Sequence, residues 1–189
     1  MKKIVVFASG SGTNAENIIK HFAATKMASV VSVFTNNANA KVIDRAKNHQ
    51  IPTEIFSKSD LFEGKVLQKI NEIKPDLIVL AGFLLKFPQD IIEAYPDQIL
   101  NIHPALLPLY GGKGMYGMHI HRAIVENKEK ETGITIHYVN ENYDEGNIIF
   151  QKKVALIDSD TPEDVAAKIH ELEQENFPLI IEKWLTNKL

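Results

Sequence analysis

The sequence predicts an α/β protein built on a mostly parallel sheet, and three observations carry that reading. Ile4 to Ala8 is a continuous apolar run, as a strand buried on both faces requires. A glycine turn and a stretch with helical spacing follow it directly. Short apolar runs and amphipathic stretches then alternate as far as Ile102, which is the rhythm of β-α-β units.

The chain has 189 residues, 44% of them hydrophobic, and a formal net charge of -3. That length supports one domain with a full core, read here as residues 1–189 without repeats or a linker. The charge offers no basic footprint for a nucleic-acid backbone. There is no cysteine, hence no disulfide framework and no thiolate metal site. No stretch approaches the ~20 apolar residues that a membrane span needs. The basic start runs into an apolar segment too short for a signal peptide. The expectation is a soluble cytoplasmic protein with no nucleic-acid or membrane partner.

After the first strand comes Ser9-Gly10-Ser11-Gly12-Thr13-Asn14, and Ala15 to Ala24 is helical through Ile18, Ile19 and Phe22. A strand, a glycine turn and a helix together point backbone N–H groups at an anion. A tight turn without a ligand has the same pattern. The second strand, Val30 to Phe34, ends in Thr35-Asn36-Asn37, where a dinucleotide site would carry an acidic residue for the ribose. A single phosphate monoester fits better than NAD.

Ala40 to His49 reads as a helix, Thr53 to Phe56 as a short strand and Asp60 to Ile73 as one helix. Leu77 to Ala81 is the fourth strand, and Gly82-Phe83-Leu84-Leu85 continues it into a loop. Asp90 to Tyr95 is a short helix, and Ile99 to Ile102 the fifth strand. In such sheets ligands bind beyond the carboxyl ends of the strands. Gly10 to Asn14, Gly82 to Leu85 and Asn101 to His103 should therefore face one cleft.

Leu100 to Tyr110 reads L-N-I-H-P-A-L-L-P-L-Y. Residues two apart lie on one face of an extended chain, and Pro104 keeps His103 extended. An amide and an imidazole thus project side by side. The first donates hydrogen bonds without titrating, and the second moves a proton near neutral pH. That pair suits a reaction through an oxyanion, although a turn with a satisfied histidine would look alike. Gly111 to Gly117 is a glycine-rich loop, either a lid or a surface connection, and the connection is the favoured reading. His119 to Asn127 is helical. His119 and His121 fall on different faces, so neither is assigned a role.

Ile134 to Val139 and Ile148 to Val154 then form a hairpin-like pair across a polar loop that holds Asp144, by itself a turn residue. Thr161, Pro162 and an acid at the third helical position open the last helix. It should run to about Asn176 and break or kink at Pro178, with Ile180 to Leu185 as a final amphipathic segment.

Taken in order, these stretches resemble the folate-dependent glycinamide ribonucleotide formyltransferases. Ser9 to Asn14 is similar to their phosphate turn, Leu80-Ala81-Gly82-Phe83 to their folate loop, and Asn101 to Pro108 to their catalytic strand. Asp144-Glu145-Gly146 resembles the loop with their catalytic aspartate, and Glu173 through Pro178 the helix end that binds the ribose. The resemblance implies a seven-stranded, mostly parallel sheet with a Rossmann-like N-terminal half. It implies formyl transfer from 10-formyltetrahydrofolate to the amine of 5′-phosphoribosylglycinamide, without a metal, by a monomer or homodimer. It further implies a cis Leu107–Pro108 bond.

By the same resemblance His103 is the general acid/base, Asn101 the oxyanion donor and Asp144 the partner of His103. Gly12, Thr13, Asn14, Pro104 and Glu173 meet the ribonucleotide. Phe83, Leu84, Leu85, Asn101, Asn140, Tyr143 and Asp144 meet the folate. The chain departs from the family at Leu85, Leu109 and the longer loop Gly111 to Gly117. Two other readings share parts of the pattern. A formyltransferase acting on methionyl-tRNA would keep Asn101, His103 and Asp144, but would carry another domain and a more basic surface. A non-catalytic nucleotide-binding module would need only Gly10 to Asn14.

Overall fold

The structure is a computed structural model that describes residues 1–188. In chain order its elements are β1 (Lys2–Phe7), α1 (Thr13–Thr25), β2 (Ala28–Thr35), α2 (Val42–Asn48), β3 (Thr53–Ile55), α3 (Lys58–Phe62) and α4 (Lys65–Ile73). Then follow β4 (Leu77–Leu80), α5 (Gln89–Ala94), β5 (Ile99–His103), α6 (Met118–Glu126), β6 (Glu131–Tyr138), β7 (Ile148–Ala155) and α7 (Pro162–Leu185). The seven strands form one sheet in the order β3-β2-β1-β4-β5-β6-β7. β1 to β5 are parallel; β6 is reversed and pairs antiparallel with both β5 and β7, so β7 runs in the direction of β5.

The period-two alternation of β1 splits the core. Ile4, Val6 and Ala8 pack with Ile18, Phe22, Ile169, Phe177 and Ile181 under α1 and α7. Val5 and Phe7 point the other way, toward Leu61, Ile70 and Ile91. Both faces are covered, which explains why β1 and β4 read as unbroken apolar runs. The chain runs from β1 outward to β2 and β3, and returns to place β4 on the other side of β1. The crevice at the carboxyl ends of β1 and β4 is thus the switch point where such sheets bind ligands.

Two expected elements differ. The helix expected over Asp60 to Ile73 is divided into α3 and α4, because Gly64 takes a positive φ of 84°. Ser57 and Asp60 close a capping box that starts α3 independently. Pro178 does not end the last helix: α7 continues through it to Leu185. A proline in a helix leaves the carbonyl four residues earlier without its donor. Here that carbonyl, on Gln174, accepts from Asn17 Nδ2 at 2.7 Å, so α1 supplies the missing bond. The start of α7 is as expected, with Thr161 and Asp164 forming a capping box around Pro162.

Candidate active site

The glycine turn after β1 is shaped by contact as well as by torsion. Gly12 caps α1 with φ 72°, and a Cβ there would lie 2.4 Å from Val42 Cγ2. Only glycine fits, and the first-turn N–H groups of α1 are left facing the crevice without helical acceptors. Ser9 fastens this turn to the one after β4. Its N–H donates to Gly82 O, and its hydroxyl accepts from Leu84 N–H at 3.0 Å and donates to Asn36 Oδ1.

β5 delivers Asn101 and His103, and β6 runs antiparallel beside it with His137 opposite Asn101 and Thr135 opposite His103. Thr135 holds the turn that follows. Its hydroxyl donates to Ala105 O at 2.7 Å and accepts from Leu107 N–H at 3.0 Å, beside the cis Leu107–Pro108 bond.

His103 is only 3% exposed. Its Nε2 lies 2.8 Å from Tyr110 O, which can only accept, so the proton of the neutral ring sits on Nε2. Tyr110 is itself fixed through its hydroxyl to Glu129 and Asn127. Nδ1 is therefore the bare nitrogen, and it faces Asp144 Oδ1 at 3.5 Å. Burial lowers the His103 pKa below the ordinary value, and the charge of Asp144 opposes this only in part. The ring is a neutral base with a carboxylate waiting to stabilise its cation.

Asp144 takes a positive φ of 57°, which aspartate tolerates. Burial works against its charged form, but His137, His103 and the N–H of Gly112 outweigh burial and hold its carboxyl below the usual range. Gly112 N–H donates to Asp144 Oδ2 at 3.0 Å. His137 Nδ1 donates to Tyr138 O at 2.7 Å, so Nε2, which lies 3.1 Å from Asn101 Nδ2 and 3.7 Å from Asp144 Oδ1, accepts from Asn101 when the ring is neutral and turns its proton to Asp144 when the ring is protonated. The second N–H of Asn101 remains available beside His103.

Asn101, His103, Gly112 and Asp144 line one cavity of about 600 Å³. Its far end is walled by Gly10 to Asn14, His170 and Glu173, where Glu173 Oε2 accepts from Asn14 Nδ2 at 2.9 Å. Phe83, Leu84, Pro104 and Tyr143 complete the expected lining. Leu85 and Asn140 are not part of it. Leu85 packs into the core below, and Asn140 Oδ1 accepts from Asn142 N–H in its own turn. The loop Gly111 to Gly117 is more than the surface connection expected: Gly112 to Gly117 wall the cavity, and Gly112 anchors Asp144.

Sequence reasoning passed over His137, His170 and His121. A polar residue in a strand buried on both faces marks His137. His170 lies one turn before Glu173 on the same helix face, with Nδ1 at 3.8 Å from its carboxylate, which raises the histidine pKa. His121 shares the apolar stripe of Ile120 and Ile124. Among the described residues, no helix is long and apolar enough to cross a membrane, and no cluster of His, Asp and Glu is arranged to hold a metal ion.

A glycine turn at a helix N-terminus and a buried imidazole beside a half-buried amide and carboxylate thus meet in one crevice, an arrangement suited to chemistry that passes through an oxyanion. Residues 2–181 match the family model described as formyl transferase, and the chain belongs to that family. Within it the chain is similar to phosphoribosylglycinamide formyltransferases. It is 38% identical to that of Haemophilus influenzae over 98% of this chain and 88% of the relative. It is 37% identical to the chloroplastic one of Arabidopsis thaliana over 89% of this chain, and spans 60% of that relative's length. The crystal structure of phosphoribosylglycinamide formyltransferase from Bacillus halodurans superposes with a TM-score of 0.88 at 36% identity, covering 97% of this chain and 95% of the other.

Proposed function

We propose that this protein transfers the formyl group of 10-formyltetrahydrofolate to the amine of 5′-phosphoribosylglycinamide, a step of purine synthesis. The observation that carries the reading is the convergence of Asn101, His103 and Asp144 in one cavity with the turn Gly12 to Asn14 and Glu173. The turn offers backbone donors and a helix N-terminus to the phosphate. Glu173 accepts from ribose hydroxyls, and Pro104 packs beside the glycinamide. Phe83, Leu84, Tyr143 and the backbone of Leu85 flank the pterin, with Asn140 at the edge of the same loop as Asp144.

The amine nitrogen attacks the formyl carbon, and the carbonyl oxygen becomes an oxyanion. Asn101 donates its free N–H to that oxygen, an effect worth ~3 kcal/mol for comparable donors. The attacking nitrogen must shed a proton. His103 Nδ1 takes it, directly or through a water placed by Asp144, and Asp144 stabilises the imidazolium. The imidazolium returns the proton to N10 of the folate as the N10–carbon bond breaks, so tetrahydrofolate leaves neutral at that nitrogen and the catalyst is restored. The net charge of -3 offers no basic footprint for a nucleic-acid backbone, in keeping with small-molecule substrates; residues 1–189 are read as one domain that works in the cytoplasm as a monomer or homodimer.

The test follows folate absorbance with the formyl donor and a panel of amines that includes the ribonucleotide and methionyl-tRNA. Turnover with the ribonucleotide alone is expected. Turnover only with tRNA, or none, rejects the reading.

A further inference from the structure

His121 is a polar residue where the packing asks for an apolar one. It sits on the inner face of α6 between Ile120 and Ile124 and is 5% exposed. Its Nδ1 is fully enclosed and has no hydrogen-bond partner among the described residues. Its Nε2 also makes no hydrogen bond among the described residues, but it is not enclosed, and His121 and Glu173 both line the cavity. A proton on Nδ1 would be a buried donor with nothing to meet. Unsatisfied donors are rarer and costlier in proteins than unused lone pairs. The proton therefore belongs on Nε2, where it points into the cavity. Burial disfavours the cation despite the nearby charge of Glu173, so the group is a neutral donor.

We propose that His121 Nε2–H donates to a ribose hydroxyl of the ribonucleotide, and so recognises the sugar together with Glu173; this rests on the function proposed above. The phosphate is the poorer partner on two counts. It has backbone donors of its own at Gly12 to Asn14. A dianion placed against His121 would also face the Glu173 carboxylate, whereas a hydroxyl can donate to Glu173 and accept from His121 at once. An acceptor and a donor set together select a group that is both.

The experiment measures KM for both substrates in wild type, His121→Leu and His121→Gln, with the ribonucleotide and with an analogue lacking the ribose hydroxyls. Loss of the donor in His121→Leu should raise KM for the ribonucleotide roughly 10-fold, equivalent to about 1.4 kcal/mol. KM for the formyl donor should stay within about twofold. His121→Gln, which can still present an amide N–H, should lie between. With the analogue the penalty of His121→Leu should vanish, as expected when the partner has been removed from both arms. An unchanged ribonucleotide KM overturns the proposal, and so does a penalty that persists with the analogue. Nitrogen NMR of the histidines in wild type needs no variant: a proton on Nε2 of His121 is expected, and one on Nδ1 overturns the proposal. Wild-type turnover without a His121 effect rejects this inference alone. A wild-type protein that neither binds nor formylates the ribonucleotide rejects the functional reading as well.

Discussion

Replacing Asp144 with asparagine removes a charge while nearly keeping the shape. Asp144 Oδ1 lies 3.5 Å from His103 Nδ1, and the side chains are 12% and 4% exposed. Two unit charges about 4 Å apart interact by ~4 kcal/mol at an effective dielectric near 20. That stabilisation reaches the imidazolium formed in the reaction, and each ~1.4 kcal/mol is worth tenfold in rate. The asparagine amide also donates to the bare Nδ1, and so occupies the lone pair that must take the proton. Together these predict a kcat lower by ~10²–10³-fold. The loop should stay in place, because the asparagine oxygen still accepts from Gly112 N–H. The pH profile adds a sign. The His103 pKa is held below its ordinary value by burial and raised in part by Asp144. The neutral base is lost as pH falls through that pKa, and without Asp144 the acid limb of kcat/KM should move to still lower pH. Steady-state kinetics across pH on the folded variant decide this. Wild-type turnover, or an acid limb that stays in place, would remove Asp144 from the mechanism.

Three further perturbations probe other parts of the site and its frame. Glu173→Gln should raise KM for the ribonucleotide about 10-fold and leave KM for the folate nearly unchanged, since only one end of the cavity is altered; equal effects on both would count against a ribose role. Gly12→Ala forces a Cβ to 2.4 Å from Val42 Cγ2 at a φ of 72°, and should cost about 2 kcal/mol or more of stability in urea unfolding together with weaker ribonucleotide binding. Burial alone would raise the Glu16 pKa, but His49, Lys20 and Arg45 bring it from 4.5 down to about 2. Its folded pKa is depressed, so its contribution of about 1 kcal/mol is present above pH 4.5 and lost as pH falls toward 2. Wild type and Glu16→Gln should accordingly differ in unfolding free energy at pH 7 and converge near pH 2, and a gap that does not narrow refutes the linkage.

Local signals in the sequence carry those parts of the protein that depend on neighbours in the chain. Pro104 after His103, the glycines beside Asn14, and Thr161 three residues before an acid each declare a local geometry, and each geometry is present. What stayed illegible depends on partners far away in sequence. Asp144 looks by its local pattern like any turn residue, and only the family resemblance gives it a role until the antiparallel register shows its loop reaching His103. His137 acquires a role only by lying opposite Asn101 across β5 and β6. Pro178 looks like a stop signal because its compensating donor, Asn17, is on another helix. The glycine-rich loop gives no periodic signal at all, and its place in the cavity wall follows from the bond between Gly112 and Asp144.

Crystals of the protein with the ribonucleotide and an unreactive formyl-folate analogue offer the most direct test of the proposed transfer. The phosphate should lie on the N–H groups of Gly12, Thr13 and Asn14. The amine should stand within about 3.5 Å of the analogue's formyl-equivalent carbon, as a near-attack geometry requires. His103 Nδ1 should reach the amine directly or through one water, and Asn101 should point its free N–H at the carbonyl-equivalent oxygen. A phosphate bound elsewhere, or an amine turned away from both His103 and the formyl position, would contradict the mechanism.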